Sequence, residues 1–285
     1  IFDPQVLVRE ISELGMFGDQ LDQFRNFIYR PHGMILVTGP TGSGKTTTLY
    51  SALREIATPE VNVTTIEDPI EMVVDDFNQV SVNPKADLDF AAALRTILRQ
   101  DPDVLMVGEI RDEETARMAI QAALTGHLVV STVHTNDAAG AITRLQDLNI
   151  PNYLISSTLI GVVAQRLVRK NCNRCKVRTY LTDSQCLALG IPMEDGNPPR
   201  LPIWEGTGCN HCRETGFAGR DGIYEILELD ERIREMICSS ATLQDIRAEA
   251  VQSGMQTLRE SAMKSLAKGV TSFDEVLRVT VTSEF

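Results

Sequence analysis

The run Met34-Ile35-Leu36-Val37-Thr38-Gly39-Pro40-Thr41-Gly42-Ser43-Gly44-Lys45-Thr46-Thr47 leaves this chain few choices of fold. Met34 to Thr38 is β-rich and long enough for a buried strand. Lys45 to about Ile56 keeps helical spacing. Between them lies Gly-x-x-x-x-Gly-Lys-Thr, a phosphate-wrapping loop in the strand-to-helix context it needs. Gly39, Gly42 and Gly44 allow backbone angles that a Cβ resists, so successive N–H groups can turn onto anionic oxygens. The positive end of the helix adds to that field. Lys45 is placed to reach β- and γ-phosphates, and the Thr46 hydroxyl to ligate Mg²⁺. The phosphate-binding set is therefore Gly39, Pro40, Thr41, Gly42, Ser43, Gly44, Lys45, Thr46 and Thr47.

The rest of the first half alternates strands with helices. Val61 to Ile66 reads as a strand running into Glu67-Asp68-Pro69-Ile70-Glu71, with Val80 to Val82 as a short edge strand. Val104 to Val107 reads as a fully apolar strand and Leu128 to Val133 as a further apolar one. Asp89 and Asp112 suit as caps for helices over Phe90 to Arg99 and on to Leu124, and another helix spans about Ala138 to Leu148. Strands apolar on both faces argue for a mostly parallel sheet covered by helices. Lys45, Glu67, Glu109 and His134 then sit at the carboxyl ends of four strands, the edge where open α/β sheets bind ligands. Residues 1 to 33 read as a lead-in of two short helices.

Phosphoryl transfer to water needs a metal anchor, a group that orients the water, and cations for the γ-phosphate charge. The third apolar strand ends Val107-Gly108-Glu109, with Gly where an Asp would be usual. Glu109 is thus the only acid on that strand end, suited to Mg²⁺ through water or to orienting the attacking water. Glu67 is the other candidate base, and Asp68 and Glu71 are weaker ones. His134 is a candidate γ-phosphate sensor; His127 would lie at the far edge of the sheet.

Near residue 170 the character changes. Cys172-x-x-Cys175 and Cys209-x-x-Cys212 make a four-thiolate set for a closed, structural Zn²⁺ site. Cys186 and Cys238 read as buried single thiols. Arg166, Arg169, Lys170, Arg174 and Lys176 read as a solvated face beside the metal, and the loop Gly190 to Pro202 carries four prolines. Beyond Gly222 the chain reads as mostly helical, over about Glu231–Ile237, Leu243–Val251, Leu258–Ala267 and Phe273–Val279. Net charge is −12, which argues against sequence-independent nucleic-acid binding. Apolar runs such as 154 to 164 are broken by Ser, Thr and Gly and fall short of the ~20 residues of a membrane helix. Ile1-Phe2-Asp3-Pro4, without initiator Met or basic n-region, reads as a start inside a longer chain.

Gly39 to Thr46, Thr65-Ile66-Glu67-Asp68-Pro69-Ile70-Glu71, Gly108-Glu109-Ile110-Arg111-Asp112, and Gly126-His127 through His134-Thr135-Asn136 resemble four marks of one family. They are similar to the Walker A, Asp box, Walker B and His box of the type II/type IV secretion ATPases, the hexameric motors of type IV pili and type II secretion. The resemblance implies a RecA-like P-loop NTPase sheet over 1–169, a tetracysteine zinc module over 170–222 and a helical C-terminal subdomain over 223–285. It implies that Glu109 is the Walker B glutamate and Glu67 the Asp-box acid. Arg99 and Arg111 match family arginines near the nucleotide and the subunit boundary, and a preceding N-terminal domain would supply others. It further implies Mg²⁺-dependent hydrolysis of ATP to ADP, a homo-hexamer in the full-length form, and an inner-membrane platform protein as partner. Membrane association would come through partners, at the cytoplasmic face of the bacterial inner membrane, without nucleic acid. The cysteine module resembles that of pilus-extension and type II secretion ATPases. Pilus extension is the expected function and type II secretion the alternative. A zinc-ribbon nucleic-acid translocase is the alternative from another class; the acidic charge and an aromatic content of 5% speak against it.

Overall fold

The structure, a computed structural model, describes residues 9–192 and 200–280. The chain folds as two compact units: Ile1–Gln165 with Tyr224–Gln256, and Arg166–Ile223 with Thr257–Phe285.

The first unit is built on β1 (Gly33–Thr38), β2 (Val63–Glu67), β3 (Asn78–Ser81), β4 (Val104–Val107), β5 (Leu128–Val133), the first part of β6 (Leu159–Asn171) and the last part of β9 (Phe217–Glu228), all strands of one sheet. Their order is β3-β2-β4-β5-β1-β6-β9. β1 pairs in parallel with β5 and β6, and β2 with β3 and β4. β4 and β5 are parallel too, Val104 facing Leu128. Parallel strands demand cover on both faces, and β1, β2, β4 and β5 are buried along their whole length. On one face, Ile35, Val37, Met106 and Val130 pack in one cluster with Phe24 and Phe27 of α1 (Asp19–Ile28) and Leu49 and Leu53 of α2 (Lys45–Ile56). Among the described residues, the lead-in is a 3₁₀ turn over Ile11–Glu13 followed by α1.

Helices α3 (Phe90–Ile97) and α4 (Glu113–Leu124) start where expected, the Asp89 and Asp112 carboxylates accepting from the N–H groups of Ala92 and Thr115. α3 ends two residues earlier than its pattern suggests, because Leu98–Gln100 tightens into a 3₁₀ turn. α5 (Gly140–Asp147) and α6 (Asn152–Thr158) follow. The apolar run 154 to 164 is divided between α6 and β6, and Tyr224 to Glu228, in the stretch read as mostly helical, completes β9. α8 (Glu231–Cys238) and α9 (Leu243–Gln252) close this unit. Cys238 is exposed, not buried: it is the last residue of α8, on the side away from Ile233 and Ile237.

The second unit contains a two-stranded antiparallel sheet, β7 (Lys176–Tyr180) with β8 (Pro202–Gly206). It also has a short helix α7 (Asp183–Ala188), started by a Thr182/Gln185 capping box. α10 (Leu258–Ala267) and α11 (Phe273–Thr280) lie at its end of the chain. The expected module 170–222 falls in this unit, and the expected helical region 223–285 is divided, α8 and α9 going with the large sheet. The basic cluster is not one solvated face. Arg166 is buried, and Arg169 donates to buried Glu275. Most of the proline loop, 193–199, lies outside the described residues.

Candidate functional site: a phosphate loop at the carboxyl edge of the sheet

β1 ends at Thr38 and the chain enters the loop through Gly39, Gly42 and Gly44, all at positive φ (148°, 78° and 89°). Gly39 is held to glycine twice over, since a Cβ there would also come 2.4 Å from the Gln165 carbonyl oxygen. The Lys45 ammonium folds back across the loop and donates to the carbonyls of Gly39 (2.8 Å) and Pro40 (3.2 Å). Burial lowers its pKa, while the nearby carboxylates of Glu109 and Glu71 act to hold its charge. Ser43 places a buried hydroxyl in the loop with no hydrogen-bond partner among the described residues. A cradle of positive-φ glycines, a cation that donates to two loop carbonyls, and a hydroxyl without a partner among the described residues fit a polyphosphate.

Glu109 stands just past β4. Its carboxylate is shared between Arg111 (Nε to Oε2, 2.7 Å) and His134 (Nε2 to Oε1, 3.1 Å), and its side chain is 19% exposed. Gly108 explains the missing Asp: its N–H donates to Ile66 O at 2.8 Å, and a Cβ there would lie 3.1 Å from that same oxygen. Thr132 and Ser131 of β5 donate to the carbonyls of Gly108 (2.7 Å) and Val107 (2.6 Å), fixing the turn that carries Glu109. The arrangement brings Lys45, Glu109, Arg111 and His134 to one edge.

Thr46 donates to Glu71 Oε1 at 3.3 Å. A hydroxyl beside a carboxylate, with Glu109 near the same lysine, offers the oxygen ligands a hard cation such as Mg²⁺ takes. Glu67 occupies the end of β2 but is 3% exposed. Its oxygens accept from Tyr50 (2.6 Å), Thr65 (2.6 Å) and Gln79 (3.1 Å). Arg99 is not brought in. It is exposed on the 3₁₀ turn before β4, and the neighbouring Gln100 carbonyl accepts from Asn62, which precedes β2. That puts Arg99 at the amino edge of the sheet. His127 also lies at that edge, its Nδ1 3.0 Å from the Ala122 carbonyl.

The four paired cysteines come together in the second unit, their sulfurs all within 4.8 Å of one another. Cys172–Cys209, Cys175–Cys212 and Cys209–Cys212 are separated by 3.9, 3.8 and 3.7 Å. Zn–S bonds of about 2.3 Å in a tetrahedron give S–S edges of about 3.8 Å, so the donor set fits zinc. Burial pushes the Cys212 thiol up, and the N–H groups of Cys209 and Gly216 outweigh it, bringing it down to about 7.

Sequence reasoning missed four contributors. Thr38 ties the phosphate loop to the His134 turn, its hydroxyl 2.7 Å from Thr135 Oγ1 and accepting from the Thr135 N–H at 2.8 Å. Gln165 accepts from Thr48 at 2.8 Å. Tyr50 and Gln79 surround Glu67. Thr38 and Thr135 flank motif residues and could have been found that way; Gln165 and Gln79 carry no local signal.

The family model described as "Type II/IV secretion system protein" matches residues 1–278. The chain is 52% identical over 279 residues to the type IV pilus assembly ATPase TfpB of Acinetobacter baylyi, covering 98% of this chain and 47% of that protein. It is 47% identical to the type II secretion system ATPase E of Vibrio cholerae, covering 99% and 55%. Among solved structures, the pilus retraction motor PilT with bound ADP superposes with a TM-score of 0.69 at 31% identity, over 96% of this chain and 67% of that one. The chain spans about half the length of these two curated relatives.

Proposed function

The chain belongs to the type II/IV secretion system protein family, and from that premise we propose that it is the ATP-hydrolysing part of a motor that powers type IV pilus extension. The observation that carries the hydrolytic reading is the position of Glu109 between His134 and Arg111 at the edge that also holds Lys45. Lys45 lies across the loop where β- and γ-phosphates would bind and exchanges its two carbonyl partners for them. Glu109 is the acid available to orient water toward the γ-phosphate. His134 and Arg111 fix its carboxylate, and both are exposed enough to meet the nucleotide. Arg111, with one Nε–carboxylate contact, has further N–H groups for the charge that develops on the phosphate. Bound Mg²⁺ would neutralise charge between the β- and γ-phosphates, with Thr46 and Glu109 as the residues that hold it. Cys172, Cys175, Cys209 and Cys212 would hold Zn²⁺ in a closed, structural site.

The same reading has the full-length protein assembling as a homo-hexamer on an inner-membrane platform protein, at the cytoplasmic face. The 52% identity to a pilus assembly ATPase supports extension; the 47% identity to a type II secretion ATPase supports the second reading. The test compares Lys45→Ala and Glu109→Gln with wild type in the assembled hexamer. Lys45→Ala should lose both binding of a fluorescent ATP analogue and turnover. Glu109→Gln should keep binding and lose at least about a hundredfold in turnover. Near-normal hydrolysis by Glu109→Gln would remove it from the mechanism. Deleting the gene should abolish surface pili and spare protein secretion; the reverse transfers the function to type II secretion.

A further inference from the structure

Glu67 is almost wholly buried, and a carboxylate is taken out of water only where donors replace the water. Three elements supply them. Tyr50, on α2, donates to Oε2 at 2.6 Å. Thr65, two residues back on β2, donates to Oε1 at 2.6 Å, and Gln79, on β3, donates to the same oxygen at 3.1 Å. Gln79 does more than meet the carboxylate. Its amide oxygen accepts from the Val74 N–H at 2.7 Å, and its NH₂ group also faces the Met72 carbonyl (3.0 Å) and the Tyr50 hydroxyl (3.1 Å). The Tyr50 hydroxyl lies 3.2 Å from that same Met72 carbonyl.

One turn before Tyr50 on α2, Thr46 donates to Glu71. Residues four apart share a helix face, so the acidic segment from Glu67 to Met72 is fastened to α2 at two points on one side. That helix opens directly from the phosphate loop. With Glu67 enclosed, the acid the segment presents to solvent beside Thr46 is Glu71, which is exposed.

The geometry points to Tyr50 and Gln79 as positioning residues that clamp the segment from Glu67 to Val74 onto the phosphate-loop helix and so hold its acids in register with Thr46. The inference rests on the ATPase reading for its catalytic consequence, and on hydrogen bonds alone for the clamp. Neither residue touches the phosphate cradle. Their loss should misplace Glu71 beside Thr46, a residue that would hold Mg²⁺, and leave the glycine loop and Lys45 intact.

The experiment takes Tyr50→Phe, Gln79→Leu and the double variant in the assembled hexamer. Misplacement by about 1 Å can cost on the order of a hundredfold in rate, so kcat should fall by that order. KM for ATP and affinity for a fluorescent ATP analogue should stay within about threefold, because binding is carried by the loop. The double variant should be little worse than the poorer single, since the two act on one unit. Hydrogen exchange tests the clamp without turnover: the Val74 N–H should be protected in wild type and exposed in Gln79→Leu. Wild-type kcat in both single variants, or a parallel loss of kcat, affinity and melting temperature, would overturn the positioning role. So would unchanged Val74 protection in Gln79→Leu. A wild-type hexamer that hydrolyses no ATP would instead overturn the ATPase reading and leave the clamp to be judged by exchange.

Discussion

Glu275 offers the sharpest test of what holds the second unit together. Its side chain is 1% exposed, and Arg169 reaches it three times: N–H to Oε2 at 2.9 Å, Nε to Oε1 at 2.9 Å and Nη2 to Oε1 at 2.7 Å. Arg278 adds Nε at 2.9 Å and Nη2 at 2.8 Å. Burial pushes the carboxyl up, but the hydrogen bonds from Arg278 and Arg169 prevail and bring it from the ordinary 4.5 down to about 2. A carboxylate with a depressed folded-state pKa contributes stability that is fully present above the unfolded value. That stability is lost as pH falls through the folded value. The interval between 4.5 and about 2 is worth about 3 kcal/mol. Glu275→Gln should therefore cost about that much at pH 7, because the amide NH₂ would face guanidinium donors. The only tryptophan of the chain is Trp204, which belongs to this unit, so urea unfolding followed by its fluorescence reports the right element. The wild-type minus variant difference should be constant above about pH 5 and shrink toward zero between about pH 4.5 and 2. A difference below about 0.5 kcal/mol at pH 7, the range of an ordinary surface substitution, would refute the reasoning.

Two further outcomes follow from the cysteine cluster and the arginines. Elemental analysis of freshly purified protein should find one zinc per chain; chelation should speed hydrogen exchange across 172–212 before it does so across β1 and β5, and metal-free protein of unchanged stability would mean the thiols only pack. Specific ATPase activity should rise with protein concentration in step with assembly seen by light scattering. Arg99 lies at the opposite edge of the sheet from its own Lys45, so a site that uses it would need assembly; fast, concentration-independent hydrolysis by a monomer would sink the expectation of a shared site.

What was legible in the sequence is what depends on neighbours in the chain. The phosphate loop is legible because its glycines, lysine and threonine act within eight residues, and β1 and α2 flank it in sequence as in space. The caps at Asp89 and Asp112 are legible for the same reason: the side chain bonds an N–H three residues on. β6 was illegible because its apolar run lacks the period-2 alternation of a half-buried strand and abuts α6, so the pattern alone does not choose strand over helix. β9 was hidden because its early residues, Phe217 to Gly222, include two glycines, with Phe217 to Asp221 all at least partly exposed, and only Gly222 to Leu227 are continuously buried.

The site divides along the same line, and the division bears on chemistry. Glu67 and Glu71 carry the same side chain four residues apart, and nothing local tells them apart. Their difference comes from Tyr50 and Gln79, 17 and 12 residues from Glu67 in the chain. These bury one acid and leave the other beside Thr46. Likewise Glu109 is an acid at a strand end by sequence; Arg111, two residues on, and His134, just past the end of the neighbouring parallel strand β5, hold it together, and only the first of these is local. In a parallel sheet, adjacent strand ends are necessarily distant in sequence, because a crossover separates them. The motifs therefore name the groups, and the crossovers between β1, β2, β4 and β5 decide which of those groups meet.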